Sequence, residues 1–382
     1  MRTWIKLLIF LIPPGIVFGI PLLTLWMGGE LTAPETVIKR QAETSRLVLH
    51  GAALSNTIIY EKVRAMQLRK PEILALGTSR VLQFRQIFFN PGITFYNGGS
   101  VIQRIQHLRQ TLDQLPKDGQ PRLLIVGIEQ AWFNGNSAYT EVKDQGPAWF
   151  DAQLNTGIDP IDIWRSNCWK VWGQLWDGRL PVSKILSGRG LTDRIGFTSC
   201  VYDAGYRNDG SYQYRDYYFN ISDPRHPDRD FSRGFRLIAT SRIPFEKGND
   251  VYQPSVEELA KFLDECKARN IRVVGFLPPL PHIIIEKLNA EADKYQYLAK
   301  LYPALAPVFE ARGFEFYDYS DFAMLGATDS EAVDSFHGSE RVYIKLCLSL
   351  VEKGSMLASE LDAPVLRKAL ESKGNTDLVP SR

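Results

Sequence analysis

Pro71-Glu-Ile-Leu-Ala-Leu-Gly-Thr-Ser79-Arg80 is the stretch from which the rest of the chain is read. Its apolar run, Ile73 to Leu76, ends at Gly77-Thr78-Ser79, and an apolar pattern follows at Val81, Leu82, Phe84, Ile87 and Phe88. That order predicts a buried strand, a tight turn and then a helix. Ser79 then stands where the carboxyl end of a strand meets the amino end of a helix, beside free backbone N–H groups. Two readings fit: Ser79 caps the helix, or its hydroxyl faces a crevice.

Downstream, short apolar runs recur at Ile93–Tyr96, Leu123–Ile128, Ile271–Leu277 and Phe314–Tyr317. Helix-like segments lie between them at Val101–Leu115, Val256–Arg269 and Glu291–Arg312, the last predicted as two pieces because of Pro303 and Pro307. Strands alternating with helices predict an α/β fold, a parallel sheet with helices on both faces. Ligands of such sheets bind outside the carboxyl ends of the strands. Ser79, Asn97-Gly98-Gly99, Glu129-Gln130 and Pro278-Pro279 all follow strand ends and should share one rim.

Upstream, an uncharged, largely apolar run from Leu7 to Gly29 is long enough to cross a bilayer. Trp4 and Trp26 flank it as interfacial anchors do, and prolines 13, 14 and 21 are tolerable in a membrane helix. No A-x-A cleavage pattern follows, so residues 1–29 are read as an uncleaved signal anchor with the bulk of the chain extracytoplasmic. Residues 30–70 form a charged, broadly helical connector without catalytic residues. Residues 71–134 and 255–353 form the α/β domain, and residues 354–382 a tail.

Residues 135–254 separate the third and fourth strands by far more than a crossover needs, so they are an insertion. It is aromatic: Trp149, Trp164, Trp169, Trp172 and Trp176, then a run of tyrosines from Tyr202 to Tyr218. Gly205-Tyr-Arg-Asn-Asp-Gly210 reads as a turn into a hairpin. Such aromatics make the core of a small subdomain or stack on sugar rings. Cys168 and Cys200 are either paired or two free thiols, and none of the four cysteines has zinc-ligand spacing. A net charge of +2 gives no reason to propose a nucleic-acid partner, and no metal or cofactor motif is present.

Asp334-Ser-Phe-His337 follows the fifth strand and precedes a helical run. A carboxylate three residues before a histidine can fold back onto the imidazole, leaving the other ring nitrogen to activate a serine. Alternatively, Asp334 caps the helix and His337 is an ordinary surface residue.

A serine after the first strand, a glycine after the second and DxxH after the last is the order of the SGNH, or GDSL, hydrolases. The chain resembles that family over Gly77-Thr78-Ser79-Arg80, Asn97-Gly98-Gly99 and Asp334/His337. The resemblance implies a flavodoxin-like sheet, with Ser79 as nucleophile, His337 as base and Asp334 orienting it. It also implies an oxyanion hole from the N–H groups of Ser79 and Gly98. The third block departs, with Gly127-Ile-Glu129-Gln130 where G-x-N-D is expected, so the asparagine donor is missing; either Gln130, Asn134 or Asn97 substitutes for it, or the hole has only the two backbone donors of Ser79 and Gly98. Glu129 and His282 are further substrate-contact candidates on the rim.

The anchor, the altered third block and the insertion resemble one subgroup, the extracytoplasmic proteins of polysaccharide O-acetylation and D-alanine transfer. That resemblance implies a membrane-bound O-acyltransferase partner and an acylated glycan or small acyl ester as substrate. The expected function is therefore a membrane-anchored serine esterase or O-acyltransferase. The rival is an inactive glycan- or partner-binding scaffold, and phosphate binding at the Ser79 turn ranks last for want of a Walker pattern.

Overall fold

A computed structural model describes residues 2–140, 152–154 and 159–372; Trp149 lies outside the described residues. In chain order the strands are β1 (Leu49–His50), β2 (Ile73–Gly77), β3 (Phe95–Gly99), β4 (Leu123–Gly127), β5 (Arg194–Ile195), β6 (Gly205–Tyr206), β7 (Tyr212–Gln213), β8 (Arg272–Leu277) and β9 (Glu315–Asp318). The chain divides into two compact units.

The larger unit comprises Lys62–Leu154, Asp209–Ser211 and Asp216–Arg382. Its five-stranded sheet has the order β3-β2-β4-β8-β9, and every pairing is parallel. Counted among themselves, the strands run 2-1-3-4-5, a doubly wound order whose direction reverses at β2. Ile73–Leu76, Leu123–Val126, Val273 and Val274 are completely buried, as strands covered on both faces must be. The helix Gln253–Ala268 packs on β8 and against the helix His107–Gln114, while Gln296–Glu310 packs on β9.

Three local expectations change. The segment after Ser79 is not an α-helix but a 3₁₀ turn, Ser79–Val81, followed by a second at Gln86–Phe88. Val81, Leu82, Gln83, Phe84 and Arg85 are all buried, so no polar face remains for an amphipathic helix. The side chain of Asn97 instead donates to the carbonyls of Val81 (2.8 Å) and Phe84 (2.9 Å). The second strand begins at Phe95 and takes Asn97-Gly98-Gly99 into the ladder rather than leaving them as a loop.

Gln296–Glu310 is one helix despite Pro303 and Pro307. Four residues apart, both prolines lie on its exposed face, where water can serve the carbonyls they free, while Leu301, Leu305 and Phe309 pack inward.

The smaller unit comprises Met1–Glu61, Asn155–Asn208 and Tyr212–Arg215, so the 135–254 segment is shared between the two units. Its N-terminal helix, Arg2–Met27, includes a 24-residue stretch, Trp4–Met27, long and apolar enough to cross a membrane. β1 pairs with β5 in parallel and with β6 antiparallel, and β6 and β7 form the expected hairpin, Tyr206 opposite Tyr212. Leu25, Val171, Leu180, Ile185, Phe197, Cys200 and Val201 form its core. All four cysteines are buried free thiols.

Candidate active site

Ser79 follows β2 at the point where the strand order reverses, with β3 on one side and β4 on the other. Thr78, not Ser79, caps the turn: its hydroxyl oxygen accepts the Arg80 N–H at 3.2 Å and its O–H donates to Glu129 at 2.5 Å. That leaves the Ser79 hydroxyl for another partner. Ser79 Oγ lies 2.8 Å from His337 Nε2, across 258 residues of chain.

His337 Nδ1 lies 2.9 Å from both carboxylate oxygens of Asp334. A carboxylate only accepts, so Nδ1 carries the proton and Nε2 is left to accept from Ser79. Asp334 Oδ1 also accepts the N–H groups of Phe336 (2.8 Å) and His337 (2.9 Å). The carboxylate therefore closes its own turn and does not cap the following helix, Glu340–Glu352, whose N-cap is Ser339. Burial opposes charge on Asp334, but the imidazole and these two N–H groups outweigh it and hold its pKa below the usual carboxylate range.

A second layer, not apparent in the sequence, positions this turn. Asp228 is buried and accepts the Ser335 N–H at 2.8 Å, the Ser335 O–H at 2.5 Å and the Arg233 N–H at 2.7 Å. His226 Nε2 donates to the Val333 carbonyl at 2.8 Å, and its Nδ1 accepts the Asp228 N–H at 3.0 Å. In the sequence, His226 and Asp228 are two polar residues of a loop far from DxxH. Phe336 stacks on Phe245, ring centroids 4.8 Å apart.

The triad opens into a cleft of about 430 Å³, lined also by Ser100, Trp132, Phe336 and Arg233. Four of the remaining site candidates are engaged elsewhere. Gly98 sits inside the sheet opposite Leu76, and a Cβ there would meet Leu76, the Ala75 carbonyl and Met66 rather than the cleft. Asn97 is buried and serves the Val81 and Phe84 carbonyls and the Gly99 N–H. Gln130 donates to the Pro278 carbonyl at 3.1 Å and accepts from Arg80 at 2.6 Å. Asn134 donates to the Glu246 carbonyl at 2.6 Å and lines a different pocket.

Glu129 lines the cleft but is paired with Arg80 at 2.8 Å, both side chains nearly buried. The altered third block thus locks the Ser79 turn through the Arg80 guanidinium, which also reaches the Pro278 carbonyl. His282 is not at the cleft: it pairs with Asp321 at 2.9 Å, and that hydrogen bond raises its pKa.

Ser100, directly after β3, is the residue that sequence reasoning passed over. Its φ is 70°, unusual for a non-glycine residue, and such strain concentrates at functional sites. Ser100 lines the cleft together with Ser79.

Outside the cleft, the smaller unit buries His50 Nδ1 2.7 Å from Glu61, whose other oxygen accepts the Thr57 hydroxyl at 2.5 Å. Burial disfavours the His50 cation, but Glu61 outweighs it and raises the pKa. Among the described residues, no group of three or more His, Cys, Asp or Glu side chains is placed to hold a metal.

No protein-family profile matches the chain. No curated protein matches it either.

Proposed function

We propose that the protein is a membrane-anchored serine esterase or O-acyltransferase of the SGNH type, acting on acyl esters of cell-surface glycan outside the cytoplasm. The observation that carries this reading is the Ser79–His337–Asp334 relay, drawn from the two ends of the sheet unit onto one rim. Ser79 Oγ attacks the acyl carbonyl as its proton passes to His337 Nε2. Asp334 keeps the other ring proton and faces the imidazolium. The N–H groups of Ser79 and Ser100 meet the carbonyl oxygen as it gains negative charge; Ser100 takes the place that the family pattern gave to Gly98.

Collapse returns the proton from Nε2 to the departing alcohol and leaves acyl-Ser79. An incoming hydroxyl then reverses the steps: water completes an esterase cycle, a sugar hydroxyl an acyl transfer. The anchor stretch and the resemblance to polysaccharide O-acetylation proteins support a glycan acceptor and a membrane-bound O-acyltransferase as partner.

A scaffold without chemistry is the second reading. It is favoured by the third-block side chains, which are spent on the Arg80 network instead of the oxyanion. The full chain in detergent, treated with a fluorophosphonate probe and assayed on p-nitrophenyl acetate, separates the two. The enzyme reading expects labelling and hydrolysis that vanish in Ser79→Ala and hydrolysis that vanishes in His337→Ala. Equal labelling of the parent and Ser79→Ala overturns it.

A further inference from the structure

The aromatic helix Pro160–Trp176 of the smaller unit packs on the N-terminal helix through its indoles. Trp172 Nε1 donates to the Val17 carbonyl at 2.7 Å, and Trp164 Nε1 to the Phe18 carbonyl at 3.1 Å. The Val17 carbonyl is the one that Pro21, lacking an N–H, leaves without its helical donor. Hydrocarbon offers such an orphan no water to bond, so an indole donor at this level matters far more in lipid than in water. Phe18 also meets the rings of Trp164 and Trp169 edge-on.

The depth of this contact follows from helix geometry. Val17 lies about 20 Å along the helix from Trp4, at about 1.5 Å per residue. With Trp4 at one boundary of a hydrocarbon layer about 30 Å thick, Val17 sits about 10 Å inside the other. Helices that lie in the interface bury their apolar face to about 5–10 Å.

The outer surface of the aromatic helix matches that depth. Ile161, Trp169 and Trp176 are 68%, 69% and 90% exposed, and Leu22, Leu23 and Trp26 on the N-terminal helix are exposed as well. Its charges suit the boundary as well: Asp162 and Arg165 pair at 2.8 Å, and Lys170 has a stem long enough to reach the headgroups.

We infer that Pro160–Trp176 lies in the interfacial layer of the bilayer that the N-terminal helix crosses, with Ile161, Trp169 and Trp176 against lipid. The inference rests on the anchor reading above. It makes the smaller unit a platform seated in the membrane by two elements rather than hung from one.

The test uses the full chain reconstituted in phosphatidylcholine vesicles whose acyl chains carry bromine near the headgroup end, compared with unbrominated vesicles. Bromine quenches indoles at its own depth. In Trp169→Phe/Trp176→Phe the quenched amplitude should fall by about a third, two of the six indoles placed at lipid level. Both side chains are exposed, so their loss leaves the core intact. Quenching that persists undiminished in this variant and disappears in Trp4→Phe/Trp26→Phe overturns the inference, and reassigns the face to a protein partner. Absence of quenching in the parent overturns the anchor reading itself.

Discussion

Replacing Asp334 with asparagine tests the relay at its least visible joint. In the parent, one carboxylate takes three N–H donors: the His337 ring and the backbone of Phe336 and His337. Asparagine can keep the two backbone bonds through its single oxygen, which turns its NH₂ group towards Nδ1. Two donors cannot face each other, so the ring must carry its proton on Nε2, pointing at Ser79 Oγ. The base is then occupied before it can act. In serine enzymes built on this constellation the same change lowers kcat about 10⁴-fold, or about 5 kcal/mol in the barrier. The turn keeps its backbone bonds, so the thermal midpoint should move little. The assay is kcat/KM on p-nitrophenyl acetate beside the rate of fluorophosphonate labelling, since both need the Ser79 proton removed. Activity of Asp334→Asn within tenfold of the parent would refute the assignment of the tautomer and of Asp334 as its keeper.

Asp228→Ala removes a buried carboxylate that accepts three hydrogen bonds, and should lose about 2–4 kcal/mol of stability together with most of the activity. Retention of both, measured by denaturant midpoint and turnover, would strip Asp228 of its positioning role. Ser100→Gly should raise stability by about 1 kcal/mol, because glycine adopts a φ of 70° freely, while turnover stays within about threefold. A hundredfold loss would transfer the role from the backbone N–H to the hydroxyl. His107 is buried, which pushes its pKa down to about 4. The folded state therefore resists the proton that the unfolded chain accepts below about pH 6.5, and stability falls with pH from there towards 4. Between pH 7 and 5 the loss from this residue is about 2 kcal/mol. His107→Gln should flatten that part of the pH–stability curve, and an unchanged slope in urea titrations contradicts the assignment.

The sheet was legible in the sequence because parallel strands are buried on both faces and read as short unbroken apolar runs. Ile73–Leu76, Leu123–Val126 and the run ending at Leu277 needed no periodicity to be found. β3 begins two residues and ends three residues later than expected, because Asn97-Gly-Gly has the chemistry of a turn. Only tertiary structure shows that the Asn97 amide is needed inside, under the carbonyls of Val81 and Phe84. DxxH was legible because its contact is local. Asp228 was not, since it meets Ser335 across 107 residues and nothing in its own neighbourhood marks it. The third block misled in a different way. Glu129 and Gln130 stand where oxyanion groups are expected in the family pattern, yet both are held by Arg80, only one residue beyond Ser79.

The 258 residues between Ser79 and His337 also set a timetable. At about 5–20 residues per second, ribosomes take roughly 10–50 s to make that span. Throughout it, Ser79 is already in the chain while His337 does not yet exist. β8 and β9 also precede the Asp334 turn in the chain, so the nascent protein carries Ser79 without its partner until synthesis is nearly complete. On the enzyme reading, any truncation before His337 leaves the hydroxyl without its base.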